Sequence, residues 1–344
     1  MININIEYIK SQIIKHKKIY SFDAKFYIIN NNKYLSLNQY KFEPYITNNI
    51  LVCHPSNTLN ECNKLCSENN RMLLGMPFND KLTIGNCIYK GVIGGYIMSM
   101  SCSSYVKSVS IITGELEDVT ITDEDELKYF RCSLGYFGII YKIELKTSLN
   151  HHYKIHKMLS GVPFERKNHI SILKMENIKE KYFSYTDIVL EETESHNEIL
   201  VETNKCYECC VYVSLENLDN VFDIILRHYC EGFYLIIINI LTTNNAYLDM
   251  TSKLNSDNDV LFCFNMGFKN WYEISNSKNK LDNLIDDLIS YITGFCFAKY
   301  VNKNMMLFAK KYYEQNHINN IIKMKLKYDP NNVFTNDNLE FLFG

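Results

Sequence analysis

Glycine is scarce in this chain, and its distribution limits what the chain can build. Of 13 glycines in 344 residues, eight fall within residues 74–145: Gly75, Gly85, Gly91, Gly94, Gly95, Gly114, Gly135 and Gly138. None precedes Gly75. Glycine accepts positive φ freely and lets a backbone approach another group without an intervening Cβ. A glycine-poor chain that gathers its glycines in one stretch is expected to hold a backbone-built site there. Successive unobstructed N–H groups in turns make a concave nest for anions, so an anionic ligand is the natural occupant.

A length of 344 residues allows two domains and a sizeable core. The net charge of −3 lacks the basic excess of nucleic-acid binders, so no nucleic-acid partner is expected. Asn, Ile, Lys and Tyr are over-used throughout, as from AT-rich codons, which deprives a single Asn or Lys of weight. The opening MININIEYIK has neither the basic start and long apolar core nor the small-residue cleavage site of a secretory leader, so a cytoplasmic setting is expected. The most apolar run, residues 233–241, is far too short to span a bilayer.

In a reducing setting the 12 cysteines are expected to be thiols. Cys206 and Cys209 form one C-x-x-C with no second pair or placed histidine, which reads as a strand rather than a zinc site. Cys62 and Cys66 share one face of a helix. His151 and His156 would point to opposite faces of a strand, so no metal is expected at them or at His152.

Periodicity supplies a coarse map. Residues 4–18 place Ile6, Ile9, Ile13 and Ile14 on one helical face. Short strands are expected in KFYIIN, KYLSLN and NILVCHP. Thr58 followed by Glu61 is a capping box that opens a helix over 58–70. Few helical signals then appear until DEDELKYFRC, whose acids suit a solvated helix start. A strand follows at 139–145. Beyond residue 150, strands (HYKIHKML, YFSYTDIVLEE, EILVETN, CVYVSLEN, VLFCFNMGF) alternate with helices near 168–181, 218–230 and 280–293. That pattern predicts an α+β arrangement, a sheet covered by helices. The chain ends with the short strand FCFAKY, one helix over MMLFAKKYYEQNHINNIIKMKLK, and a turn at Asp329-Pro330-Asn331-Asn332.

Several of these pieces, in this order, resemble the FAD-linked oxidases of the vanillyl-alcohol oxidase (PCMH-type FAD-binding) superfamily, closest to the aldonolactone oxidase and decaprenylphosphoryl-ribose oxidase group. NILVCHPSNTLNECNKLCSENNRMLLGMPFNDKLTIGN is similar to the family's strand–helix–strand unit leading into "TIGG". KGVIGGYIMS resembles the "GxHG" loop, and VKSVSIITGELEDV the strand pair after it. DELKYFRCSLGYFGIIYKIEL is similar to the "G-G-L-G-V-I-T" segment, GFCFAKY to the "YxxKD" strand, and KYDPNNVFTNDNLEFL to the closing "DPxGxFxSD".

The resemblance implies an FAD-binding domain of two α+β subdomains with an inserted cap. The cap would be an antiparallel sheet covered by helices. Domain bounds would be 1–148 for the FAD-binding part, 149–293 for the cap, and 294–344 for a C-terminal segment returning to the first part. It further implies FAD contacts at Thr83, Ile84, Gly85, Asn86, Gly91, Gly94, Gly95, Gly135, Gly138, Ile139 and Ile140, with Lys299 near the reactive end of the flavin. Ile93 stands where the family has a histidine, which rules out covalent flavin attachment there. The place of an earlier glycine-rich phosphate loop is residues 19–27, which hold no glycine. Asn86 replaces a glycine, and Tyr300 replaces the aspartate after Lys299.

Two functions follow from this. One is an FAD-dependent oxidoreductase that oxidises an alcohol of a small sugar-like substrate (aldonolactone, alditol or a relative) through non-covalent flavin. The other is a pseudo-oxidase that keeps the fold without flavin and serves as a structural or binding protein. Bulky Tyr96 and Met98 beside the second loop would then fill cofactor space.

Overall fold

The computed structural model describes residues 6–16, 18–22, 25–28, 33–35, 37, 41–75, 77, 81–92, 101–149, 157–159, 170–173, 206–228, 233–240, 246–250, 261–269, 274–297 and 300–344. The expected strands at 182–192 and 198–204, together with His151, His152, His156, Ile93, Gly94, Gly95, Tyr96, Met98 and Lys299, lie outside the described residues.

The chain opens with helix α1 (Ile6–His16), which buries Ile9 and Ile13. Ile14 is 65% exposed, so the apolar stripe is narrower than its four isoleucines suggest. The described parts of residues 19–27, matched above to a phosphate loop, are instead strands. Strand β1 (Ile19–Phe22) pairs antiparallel with β2 (Lys25–Ile28), and β2 with β3 (Lys33–Leu35). This run of aromatic and β-branched residues suits a pleated strand and has no glycine with which to cradle a ligand.

A second sheet is ordered β4-β5-β9-β7-β8, from strands Tyr45–Thr47, Ile50–Cys53, Ile139–Leu149, Val106–Ile112 and Asp118–Ile121 respectively. Between β5 and β9 runs helix α2 (Leu59–Glu68), with its capping box as expected: Thr58 Oγ1 accepts from Glu61 N at 3.2 Å, and Glu61 Oε2 from Thr58 N at 2.9 Å. Strand β6 (Arg71–Leu73) then pairs with the end of β9. Helix α3 (Ile84–Lys90) corrects the expectation that few helical residues lie in the glycine stretch. Thr83 caps it by accepting from Asn86 N at 3.2 Å. Helix α4 (Glu124–Phe130) is capped by Asp123. Its acids are tied down rather than merely solvated: Glu124 pairs with buried Arg131, and Glu126 with Lys327 and the Tyr328 hydroxyl.

A third sheet runs β10-β11-β13-β14-β12-β15, from strands Lys157–Leu159, Ile170–Leu173, Phe233–Ile240, Leu261–Lys269, Cys206–Ser214 and Gly294–Phe295. It is antiparallel except where β11 runs parallel to β13. The helix expected near 168–181 is therefore a strand at its start, where Ile170, Ile172 and Leu173 are apolar and β-rich. Helices α5 (Leu218–His228) and α6 (Ile274–Leu288) cover this sheet with Leu218, Val221, Ile224, Ile225 and with Leu281, Leu284, Ile285, Leu288. Those are the spacings of a helical face turned to a core.

The end of the chain returns to its beginning. Helices α7 (Lys303–Tyr312) and α8 (Gln315–Tyr328) replace the single helix expected there. Tyr313 and Glu314 are extended at the break, where Tyr313 is buried and its hydroxyl donates to Leu248 O at 3.1 Å. Strand β16 (Phe334–Thr335) then lies parallel to β1, with Ile19 opposite Phe334, and helix α9 (Asp337–Phe343) closes the chain.

A ladder of rings joins these parts. Tyr129 of α4 stacks on Tyr247 at 4.2 Å, and Tyr247 meets His317 of α8 at 5.1 Å. His317 stacks on Tyr313 at 5.0 Å, and Tyr313 meets Phe343 at 5.5 Å. Nε2 of His317 donates to Tyr247 O at 2.6 Å. No helix of the described residues is long and apolar enough to cross a membrane.

Candidate functional site

Helix α3 enters its first turn wedged against the segment before α2. Leu59 N donates to Leu82 O, Ile84 N to Asn57 O and Gly85 N to Pro55 O, all at 2.8 Å. A Cβ on Gly85 would stand 2.8 Å from the Cβ of Pro55, so this glycine is required by close packing. With Asn86 N given to Thr83 Oγ1, the N–H groups of Ile84, Gly85 and Asn86 all donate within the protein.

The helix ends at Gly91, in the left-handed region at φ +59°. Around this end wraps the segment before β9. Cys132 N donates to Ile88 O at 3.1 Å, Leu134 N to Tyr89 O at 3.0 Å, and the Tyr89 hydroxyl accepts from Ile140 N at 2.8 Å. The fold thus joins the end of α3, at Tyr89 and Gly91, to the segment that carries Gly135, Gly138, Ile139 and Ile140, whereas Thr83, Ile84, Gly85 and Asn86 lie at the other end of the helix, where Ile84 and Gly85 meet Asn57 and Pro55. Ile139 and Ile140 are fully buried core residues, and Gly135 N faces Ser133 Oγ at 3.4 Å. A Cβ on Gly138 would stand 2.9 Å from Ile112 O. Cys132 and Leu134 hold positive φ, +61° and +51°, in a segment whose backbone suits glycine.

Beside this wrapped turn lies a cavity of about 10 Å³, room for one water. Lys90, Cys132 and Leu134 line it from the α3 side, Tyr212, Leu248 and Asp249 from the third sheet and its neighbourhood, and Phe295, Cys296 and Phe297 from the chain leading toward residues 298–299. Cys132 Sγ donates to Asp249 Oδ2 at 3.9 Å and lies 3.4 Å from Ser103 Oγ. Burial first, then the Asp249 charge, pushes the Cys132 thiol well up, and the same two causes in the same order raise the Tyr212 hydroxyl. These groups meet only through tertiary folding, and no local sequence signal marks them. Tyr300, the departure at the "YxxKD" strand, donates its hydroxyl to Asp282 Oδ1 on α6 at 3.0 Å.

Under the first turn of α3, just before Pro55, His54 is fully buried. Nδ1 accepts from Ser56 N at 3.1 Å, which places the proton of the neutral ring on Nε2. The ring stands edge to face with Phe42 at 5.7 Å. Burial, with a contribution from Lys41, lowers its pKa from 6.5 to about 4. The unfolded chain therefore binds the extra proton first, and the stability held above pH 6.5 is lost as pH falls toward 4. Between pH 7 and 4.5 this group is expected to cost roughly 2.5 kcal/mol. Urea unfolding of the native protein and His54→Phe at both pH values checks it. The substituted protein should lose less stability by that amount, and equal losses would refute the assignment.

No protein-family model and no curated protein sequence matches the chain. Among solved structures, that of 6-hydroxy-D-nicotine oxidase from Arthrobacter nicotinovorans aligns with a TM-score of 0.55 at 10% identity, covering 84% of this chain and 78% of that one. At such low identity the likeness is one of architecture, and the chain has the fold of the PCMH-type FAD-linked oxidases.

Proposed function

We propose that the chain is a flavin-dependent oxidoreductase that oxidises an alcohol of a small sugar-like substrate, an aldonolactone, alditol or relative, using FAD held without a covalent bond. Residues 1–148 and 294–344 would form the cofactor-binding part, and residues 149–293 the cap. The observation that carries this is the return of the chain end: β16 lies beside β1, and the two flanks of the cap meet it at a buried junction of Cys132, Tyr212, Asp249 and Cys296. Small-molecule sites form preferentially between domains, so a substrate would enter near this seam, though not in the one-water cavity itself.

The residues present fit FAD only in part. The N–H groups at the start of α3 are spent on Asn57, Pro55 and Thr83, so they are not offered to a phosphate. The anion-binding role then falls to the loop that carries Gly94 and Gly95. Gly85, Gly91 and Gly138 serve instead to let α3 and its wrapping segment pack closely. FAD supplies the hydride acceptor, and the chain supplies orientation and electrostatics. Lys299 would place an ammonium where negative charge develops.

A second reading has its own support. Side chains at Cys132 and Leu134, on backbone suited to glycine, together with the committed N–H groups of α3, favour a scaffold that has given up flavin and serves as a structural or binding protein. Absorbance separates the two. The flavin reading expects purified protein with yellow absorbance proportional to protein, and Gly94→Glu should abolish it through crowding and charge repulsion. Colourless protein that binds no added FAD overturns the flavin reading. Equally yellow Gly94→Glu protein overturns the placement of the phosphate.

A further inference from the structure

Two thiols and a carboxylate from three distant parts of the chain converge on the turn that ends α3. Cys132 packs its sulfur against Gly91 so closely that a Cβ there would overlap Sγ. Cys296, just past β15, donates its Sγ to the carbonyl of Lys90, the neighbouring residue, at 3.5 Å. Both cysteines line the same one-water cavity. Asp249 also lines it, with Oδ2 3.9 Å from Cys132 Sγ. Cys296 is only half-buried, whereas Cys132 is buried. An oxidant from solvent therefore meets Cys296 first, and Cys132 stands behind it beside a base.

We propose that Cys132 and Cys296 are a peroxide-oxidisable pair that closes into a disulfide, tying the chain after β15 to the end of α3. The first step takes place at Cys296. Its sulfur attacks one peroxide oxygen, the S–O bond forms as the O–O bond breaks, and Cys296 becomes a sulfenic acid while water leaves. The second step takes place at Cys132. Its sulfur attacks the sulfur of Cys296, the S–S bond forms as the S–O bond breaks, and the departing hydroxide leaves as a second water. The proton lost by Cys132 passes to Asp249 and from there to that hydroxide. Two thiols give up two electrons in all, and one peroxide is reduced to two waters. Burial and the Asp249 charge keep Cys132 protonated at rest, so it stays silent until the sulfenic acid forms beside it. The inference does not depend on flavin, because any peroxide that reaches Cys296 suffices.

Another pair offers a built-in comparison. Cys210 and Cys263 lie on β12 and β14 with sulfurs 3.2 Å apart, already in contact though short of a bond. Both are buried in the sheet, so proximity alone would favour them and access would favour Cys296.

The test uses the full-length reduced protein and one to a few equivalents of hydrogen peroxide, followed by alkylation, digestion and mass spectrometry. The expected first product is a cross-linked peptide joining Cys132 and Cys296, two hydrogens lighter than the thiols. Cys296→Ser should give no such bridge. Cys132→Ser should leave a sulfenic acid at Cys296 that dimedone traps, a readout that survives even if bridging geometry is disturbed. Asp249→Asn should slow closure about a hundredfold, the scale of a positioned base, while dimedone labelling of Cys296 proceeds at the native rate. A first bridge between Cys210 and Cys263, or both junction thiols still open to alkylation, overturns the proposal.

Discussion

Replacing Asp329 with alanine is expected to remove about 3–5 kcal/mol of stability, the scale for unpairing a buried charge. The side chain sits almost wholly inside the protein. It accepts from Val333 N and Phe334 N at 2.8 Å each and from the ammonium of Lys325 at 2.6 Å. Lys325 in turn donates to Tyr136 O at 2.8 Å and to Phe334 O, and lies 4.1 Å from the centre of the Tyr136 ring. The carboxylate thus fastens the Asp329-Pro330 turn, β16 and the segment before β9 at one point. Gly114 is glycine for the same reason, since a Cβ there would overlap this carboxylate, and its N–H donates to Tyr328 O at 2.8 Å. Alanine strands an ammonium and two N–H groups without their partner. Urea denaturation measures the loss. Adding Lys325→Met to Asp329→Asn should recover much of it, because the unpaired charge rather than the missing attraction is the main cost. A loss below about 1 kcal/mol in Asp329→Ala would show the pair to be as dispensable as a surface ion pair.

The second large effect is expected at Gly91. Alanine there meets two penalties: a left-handed backbone at φ +59° and overlap with the sulfur of Cys132. Together they should cost about 3 kcal/mol, of which about 1 belongs to the backbone and the rest to overpacking. The parts separate in a double-mutant cycle. In a Cys132→Ala background the overlap is relieved, and Gly91→Ala should then cost only the backbone share. Additive losses in the cycle would mean that the two residues do not share this space.

What could be read from residue order alone was whatever is local. The Thr58–Glu61 capping box, the helix face of Cys62 and Cys66 and the turn at Asp329 all carry their cause within a few residues, and all are found. Other features were lost for identifiable reasons. Helix α3 was hidden by Gly85, which costs helix propensity but is required by Pro55, a contact set by the fold. The break between α7 and α8 has no proline or glycine, and Tyr313 leaves the helix to bury its ring and reach Leu248 O. Residues 233–240 invited attention only as an apolar run, yet they are a central strand between β11 and β14. For the site, the glycines were visible but their partners were not. Only the folded chain shows that Gly85 answers to Pro55, Gly91 to Cys132 and Gly114 to Asp329, or that Asp249 meets Cys132 at all.

The pairing of β1 with β16 also bears on the order in which the protein can be made. Ile19 leaves the ribosome about 300 residues ahead of Phe334, its partner across the sheet. At translation rates of roughly 5–20 residues per second, β1 spends about 15–60 s with an open edge before its neighbour exists. The second sheet, whose strands come from residues 45–149, can pair while synthesis continues. Strands β1 and β2 cannot complete their sheet until β16 has been made, so an early part of the nascent chain waits for one made about 300 residues later. During that interval the edge of β1 is the place where a chaperone, or a second nascent copy, would find unpaired backbone.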